Sequence, residues 1–265
     1  MSLDDNGWFT SGASYWLDIY QAPGLDAQIY RQRLSTSLKW IDKLALRPGS
    51  SVLDAGSGAG HLAAALASRG AKVVASDLSS AMTELTRDRV RRNELSAGVI
   101  RSDAHQLAFR NGAFQCVVAL GLLPWVQSQH AVVRELARVT APGGFVILSF
   151  DNAARLFRLL DPKLTPATEP LRRLVRQVRP RAPRGNRLVT PQQARELVVA
   201  EGLCIVETAG VGFGPPTLLG RPLGPSSLHV RIDAAFQRRV DRRPSPLSRV
   251  GAQYLVLARR SKSSP

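Results

Sequence analysis

Short β-branched apolar runs alternate with stretches in which apolar residues recur every three or four positions. That alternation predicts parallel strands joined by helices. The runs lie at 51–53, 72–76, 99–101, 114–120, 145–150, 203–208 and 253–258. Helical spacing fills 62–68, 80–93 and 132–139, and Thr190-Pro191 opens a further helix to Gly202, with threonine as N-cap and proline at the first helical position. Ahead of the first strand two helices are expected, about 12–20 and 26–46, divided by Ala22-Pro23-Gly24. Ala141-Pro142-Gly143-Gly144 reads as a turn between a helix and the fifth strand.

The junction of the first strand and its helix carries the chemistry. Residues 51–61 read SVLDAGSGAGH, a buried-strand run followed by glycines at 56, 58 and 60 and then a helix. Glycines in such a turn allow positive φ and let a ligand approach the main chain, while the helix start offers backbone N–H groups. Gly58, Gly60 and Ala63 also satisfy the G-x-G-x-x-A spacing of dinucleotide-binding turns. Asp54 separates the two readings, because a carboxylate at the strand end repels a pyrophosphate and favours a ligand bearing ammonium and sulfonium charges.

With Asp54 before its glycines, the stretch resembles motif I of the class I S-adenosylmethionine-dependent methyltransferases. Further segments agree in order. Asp77-Leu78-Ser79-Ser80-Ala81-Met82 is similar to the family's D-x-S-x-x-M segment, and Asp103-Ala104 with Leu107 and Phe109 to its D-A-x-x-L-P-F segment, Ala108 replacing the proline. The string RELARVTAPGGFVILSF resembles the approach to strand five, so the likeness covers about residues 48–150 by motif. Gln115 stands where the family often has aspartate. The segment 121–125, GLLPW, lacks the N/D-P-P-Y/F tetrad of enzymes that methylate nucleic-acid base amines.

The resemblance implies an α/β, Rossmann-like fold: a seven-stranded, mostly parallel sheet with an antiparallel last strand and helices on both faces. It implies a methyltransferase using S-adenosyl-L-methionine. Asp54 with Gly56, Ser57, Gly58 and Gly60 would meet the amino-acid portion, Asp77 the ribose, and Met82 and Asp103 the adenine; Leu78, Ala104 and Leu120 complete the expected cofactor-binding set. Residues 1–47 would form helices covering the cofactor, with Tyr15, Trp16 and Tyr20 as candidate pocket residues. Residues 48–152 would be the cofactor-binding core, and 153–265 the rest of the same domain, with acceptor-pocket insertions at about 153–189 and 209–248.

Composition adds a partner class. The 265 residues are 44% apolar, as in a soluble globular protein. The start, MSLDDNGWF, is acidic and lacks a secretory core, which with no long apolar run gives the expectation of a cytoplasmic protein. Cys116 and Cys204 lie in apolar runs without metal-ligand spacing and are expected to be buried thiols. Of the net charge of +16, residues 1–150 carry +3 and residues 151–265 carry +13. That excess suits an anionic substrate, a nucleic acid or an acidic membrane surface.

Arginines and leucines interleave through 153–187, which favours a small amphipathic, lipid-like or anionic acceptor, with O-methylation slightly preferred. Few aromatics lie among those arginines, which argues against a stacking platform for RNA. RNA methylation and a non-catalytic cofactor-binding domain are the alternatives. Leu122, Leu123 and Trp125 suggest an apolar wall beside the methyl group. None of His61, His105, His130 or His229 is assigned a catalytic role.

Overall fold

The computed structural model describes residues 13–44, 46, 49–161, 187–242 and 246–262. Two helices come first, α1 (Ala13–Asp18) and α2 (Leu25–Lys43). The alternating part follows as β1 (Ser51–Ala55), α3 (His61–Ala67), β2 (Lys72–Asp77), α4 (Ser80–Arg92), β3 (Ala97–Arg101), β4 (Phe114–Ala119), α5 (Gln129–Val139) and β5 (Thr140–Asp151). Then come α6 (Leu156–Leu160), α7 (Pro191–Ala200), β6 (Leu203–Val211), a small hairpin of β7 (Thr217–Leu218) and β8 (Arg221–Pro222), α8 (Ser226–Arg242) and β9 (Gln253–Arg260). Much of the arginine-rich stretch expected at 153–189 lies outside the described residues.

Seven strands form one sheet in the order β3-β2-β1-β4-β5-β9-β6, parallel except that β9 runs antiparallel to both β5 and β6. Period-2 alternation assigns the two faces. Leu53, Val117, Val146 and Leu148 are buried against Val132 and Leu136 of α5 and Leu197 and Val198 of α7. Their neighbours Val52, Cys116, Val118 and Ile147 are buried against Trp40 and Ile41 of α2 and Leu62 and Leu66 of α3. Both faces are therefore covered, and β1 and β4 sit in the middle of the sheet. Among the described residues no helix is long and apolar enough to cross a membrane.

Two local expectations need correction. Residues 141–144 are not a turn between helix and strand: β5 begins at Thr140, and those four residues lie opposite Gln115 between the pairs Phe114–Thr140 and Cys116–Phe145. The strand pairs before the glycines as well as after them, so the segment is a bulge. Gly144 is required there, because a Cβ would fall 2.8 Å from the Gln115 carbonyl oxygen. Cys204, expected inside, is exposed, whereas Cys116 is buried. The reason is position, since β6 is the sheet's edge and Cys204 is on its open side.

Strand order reverses at β1: the chain builds outward through β2 and β3, then returns to lay β4 on the other side. In open α/β sheets the crevice at such a switch point, beyond the carboxyl ends of the strands, receives ligands.

Candidate active site

A cavity of about 600 Å³ occupies that crevice, within the usual size of small-molecule sites. Its floor is the β1–α3 loop. Gly56, Gly58 and Gly60 all have positive φ, at 69, 52 and 75°. A Cβ on Gly60 would fall 2.8 Å from Thr86 Cγ2 and one on Gly56 2.9 Å from Leu122 Cδ1, so these two glycines permit close packing behind the loop. Gly58 differs, since a Cβ there meets nothing within 4 Å. It lines the cavity with bare backbone.

Four of the loop's N–H groups are spent internally. Gly56 and Ser57 donate to the Ser76 carbonyl at 2.8 and 3.0 Å, Gly60 to the Ser57 carbonyl at 3.0 Å, and Gly58 to Asp77 Oδ2 at 2.9 Å. An anion would therefore find these donors taken and two carboxylates, Asp54 and Asp77, beside it. That is the wrong environment for a pyrophosphate.

Asp54, at the end of β1, is 2% exposed, and its Oδ2 has no hydrogen-bond partner. Burial pushes its carboxyl up to about 7, and the Asp77 charge adds to the rise; the Ala63 N–H and Arg33 pull the other way. Three more wall atoms are buried without partners: Ser57 Oγ, Arg33 Nε and Gln253 Oε1. Unmet polar groups at this depth are costly in a folded protein and mark where a ligand's own polar atoms would go. Asp54 offers negative charge and Arg33 positive, on one wall.

Asp77, at the end of β2, is held by the Gly58 N–H and, through Oδ1, by the Ser79 N–H at 2.9 Å. The α4 N-cap is Ser79, whose hydroxyl accepts from Met82 N and helps fix Met82, 1% exposed, on the cavity wall. Asp103 accepts from both the backbone N–H and the ring Nδ1 of His105, at 2.9 and 2.7 Å. Partial burial opposes its ionisation, but these His105 contacts outweigh that and hold its carboxyl below the ordinary range.

All eleven residues expected from the sequence lie at this crevice, and all but Gly60 line the cavity. Trp16 and Tyr20 line it as well, whereas Tyr15 lies outside it and is 48% exposed. Leu122 and Trp125 are wall residues and Leu123 is core. His61 and His105 face the cavity. His130 pairs with Glu201 near the surface, and His229 binds the Leu223 carbonyl.

A family model described as a methyltransferase domain matches residues 53–148. The ubiquinone biosynthesis O-methyltransferase of Burkholderia thailandensis is 30% identical over 183 residues, which is 67% of this chain and 75% of that enzyme. The chain belongs to the class I S-adenosylmethionine-dependent methyltransferase family. The enzyme of the same name from Pseudomonas paraeruginosa is 34% identical over 116 residues, 43% of this chain. That match spans about half of the relative's length, 50%. The crystal structure of magnesium protoporphyrin IX methyltransferase from Synechocystis PCC 6803 with bound SAH covers 97% of both chains with a TM-score of 0.63 at 19% identity, a likeness of fold.

Within this methyltransferase fold, sequence reasoning passed over Tyr30, Arg33, Asp151 and Gln253, all on the cavity wall. For Arg33 a signal existed. It shares the buried face of α2 with Ala27, Ser37, Trp40 and Ile41, and a charged arginine on such a face is out of place unless it has a task. Its guanidinium lies 4.6 Å from the Tyr30 ring centre, and Nη2 donates to the Tyr20 hydroxyl at 3.4 Å.

Proposed function

We propose that this chain is an S-adenosylmethionine-dependent methyltransferase acting on a small-molecule acceptor, with an oxygen as the methylated atom. The observation that carries the reading is the pair of opposite, buried, unpartnered atoms on one wall, Asp54 Oδ2 and Arg33 Nε. They suit a zwitterionic amino-acid group, with the ammonium at Asp54 and the carboxylate at Arg33. Asp77 and Asp103 would take the ribose hydroxyls and the adenine amino group, with Met82, Leu78 and Ala104 packing on the base. When bound, S-adenosylmethionine supplies an electrophilic methyl group on a sulfonium sulfur. The chain's own work is to hold both partners in line and keep water out. Leu120, Leu122 and Trp125 provide the apolar wall for that.

Both named relatives are ubiquinone biosynthesis O-methyltransferases, which supports a small acceptor and transfer to oxygen. Calorimetry tests the cofactor part. S-adenosylhomocysteine and S-adenosylmethionine are expected to bind, and Arg33→Met to weaken both by about 10- to 100-fold, the usual worth of a charged hydrogen bond. Binding of NAD with exclusion of S-adenosylmethionine would overturn the reading.

A further inference from the structure

The cavity continues past β4 to the ends of β5 and β9, where Asp151 and Gln253 face each other as an antiparallel pair. Gln253 is 8% exposed. Its Nε2 donates to Asp151 Oδ1 at 3.4 Å, which fixes the amide's orientation, because the reverse would set oxygen against oxygen. Gln253 Oε1 is thereby an acceptor, and it is buried without a partner. Beside this pair stands Tyr30. Burial first, with the Asp151 charge among the further causes, pushes its phenol up to about 12, so it keeps its proton. The Trp16 and Tyr20 rings each lie 6.1 Å from the Tyr30 ring. This end of the cavity thus presents two acceptor groups against an aromatic wall.

We propose that Asp151 and Gln253 form the methyl-acceptor subsite and recognise a neutral hydroxyl group carried on a flat, apolar ring. The proposal rests on the methyltransferase reading above and names its substrate class. A carboxylate or phosphate placed here would meet the Asp151 charge and the Gln253 Oε1 acceptor, while the Gln253 Nε2 already donates to Asp151. A cationic amine would be drawn by Asp151 and repelled by the Arg33 guanidinium on the Tyr30 ring, and the two charges oppose one another there. A hydroxyl donates its hydrogen to Asp151 or Gln253 Oε1 and keeps its lone pairs for the methyl group; of the two, the Asp151 carboxylate is the one able to take the proton that the oxygen sheds on being methylated. The net positive charge of the chain's second half therefore does not set what this subsite holds, and an anionic group on the acceptor would have to lie elsewhere on the molecule.

Calorimetric titration of the full chain saturated with S-adenosylhomocysteine tests this, with 2-naphthol and 2-methoxynaphthalene as probes. Heat of S-adenosylhomocysteine binding is measured first. Its absence would sink the methyltransferase reading itself, and the subsite with it. With that heat present, 2-naphthol is expected to bind at least tenfold more tightly than its methyl ether. Asp151→Asn and Gln253→Leu should each reduce that ratio to threefold or less while the ether's own affinity holds, which a folding defect would not produce. Equal binding of the two probes by the parent protein, or a ratio that survives both substitutions, overturns the subsite and leaves the cofactor site standing.

Discussion

The two ends of the cavity are built differently. At the β1–β2–β3 end the wall comes largely from residues 54–104, and the Gly58 N–H donates to the Asp77 carboxylate and the Ser57 N–H to the Ser76 carbonyl over short sequence distances. At the β5–β9 end, Tyr30, Asp151 and Gln253 arrive from α2 and from two strands a hundred residues apart. The first end is fixed by loop geometry and tolerates little change. The second is fixed by sheet register and aromatic packing, so it can vary without disturbing the first.

The largest effect should come from breaking the near end at its glycines. Gly60→Ala combines a φ of +75° with a Cβ 2.8 Å from Thr86 on the neighbouring helix α4, and should cost about 2–3 kcal/mol in urea unfolding. Gly58→Ala has a similar strain, φ +52°, but no clash, and should cost about 1 kcal/mol. Its methyl group sits on the cavity wall, so it should nevertheless weaken S-adenosylhomocysteine binding more than its stability cost suggests. Equal stability losses for the two would remove the distinction between a packing glycine and a wall glycine.

Proton uptake sharpens the same comparison at a somewhat smaller scale. Burial raises Asp54 to about 7, whereas burial, aided by the Arg89 charge, lowers His61 to about 4. Between about pH 4 and 6.5 the folded chain holds a proton on Asp54 that the unfolded chain has released, so this group's contribution falls as pH rises. His61 does the reverse, because the unfolded chain binds a proton that the folded one refuses, and its contribution is lost as pH falls. The two nearly cancel.

His61→Gln should uncover the Asp54 slope, with stability declining by about 1 kcal/mol per pH unit toward neutrality, and Asp54→Asn should uncover a weaker opposite slope, since part of the His61 ring remains in water. Urea midpoints at two pH values read both, and parallel slopes in the two variants would refute the pairing. A cationic ligand at Asp54 would drive off its proton. S-adenosylmethionine affinity should therefore rise with pH through about 7, with proton release detectable by calorimetry in buffers of different ionisation heat.

The contrast between the ends also explains what could be read from the sequence. Strands and helices were legible from apolar periodicity, Asp54 and Asp77 from their places at the ends of the first two strands, and Asp103 from the likeness of its segment to the family's D-A-x-x-L-P-F, because all three signals are local. Arg33 gave only the weak signal of its place among the inward positions of α2, because an arginine at helical spacing is normally on the solvent face and it is the packing of α2 against β1 and α3 that turns it inward. Asp151 and Gln253 are neighbours only through the antiparallel register of β5 with β9, a pairing that no spacing reveals. The bulge at 141–144 looked like a turn because Pro-Gly-Gly punctuates either one.

The smallest effect is expected at the rim of the near end, where Asp103 and His105 form their 2.7 Å contact. The Asp103 side chain is 50% exposed, so water screens the pair, and the usual worth of such a contact is about 1 kcal/mol or less. Because the Asp103 carboxyl is held below its ordinary range, the pair's contribution is present above the unfolded carboxyl's range and is lost as pH falls from there through the lower folded value. His105→Ala should therefore leave stability at pH 7 nearly unchanged and alter S-adenosylhomocysteine affinity by no more than about threefold, since the Asp103 backbone contact with residue 105 survives the substitution. A tenfold loss in calorimetry would mean that the imidazole itself meets the ligand, and would make the rim as decisive as the buried floor around Asp54.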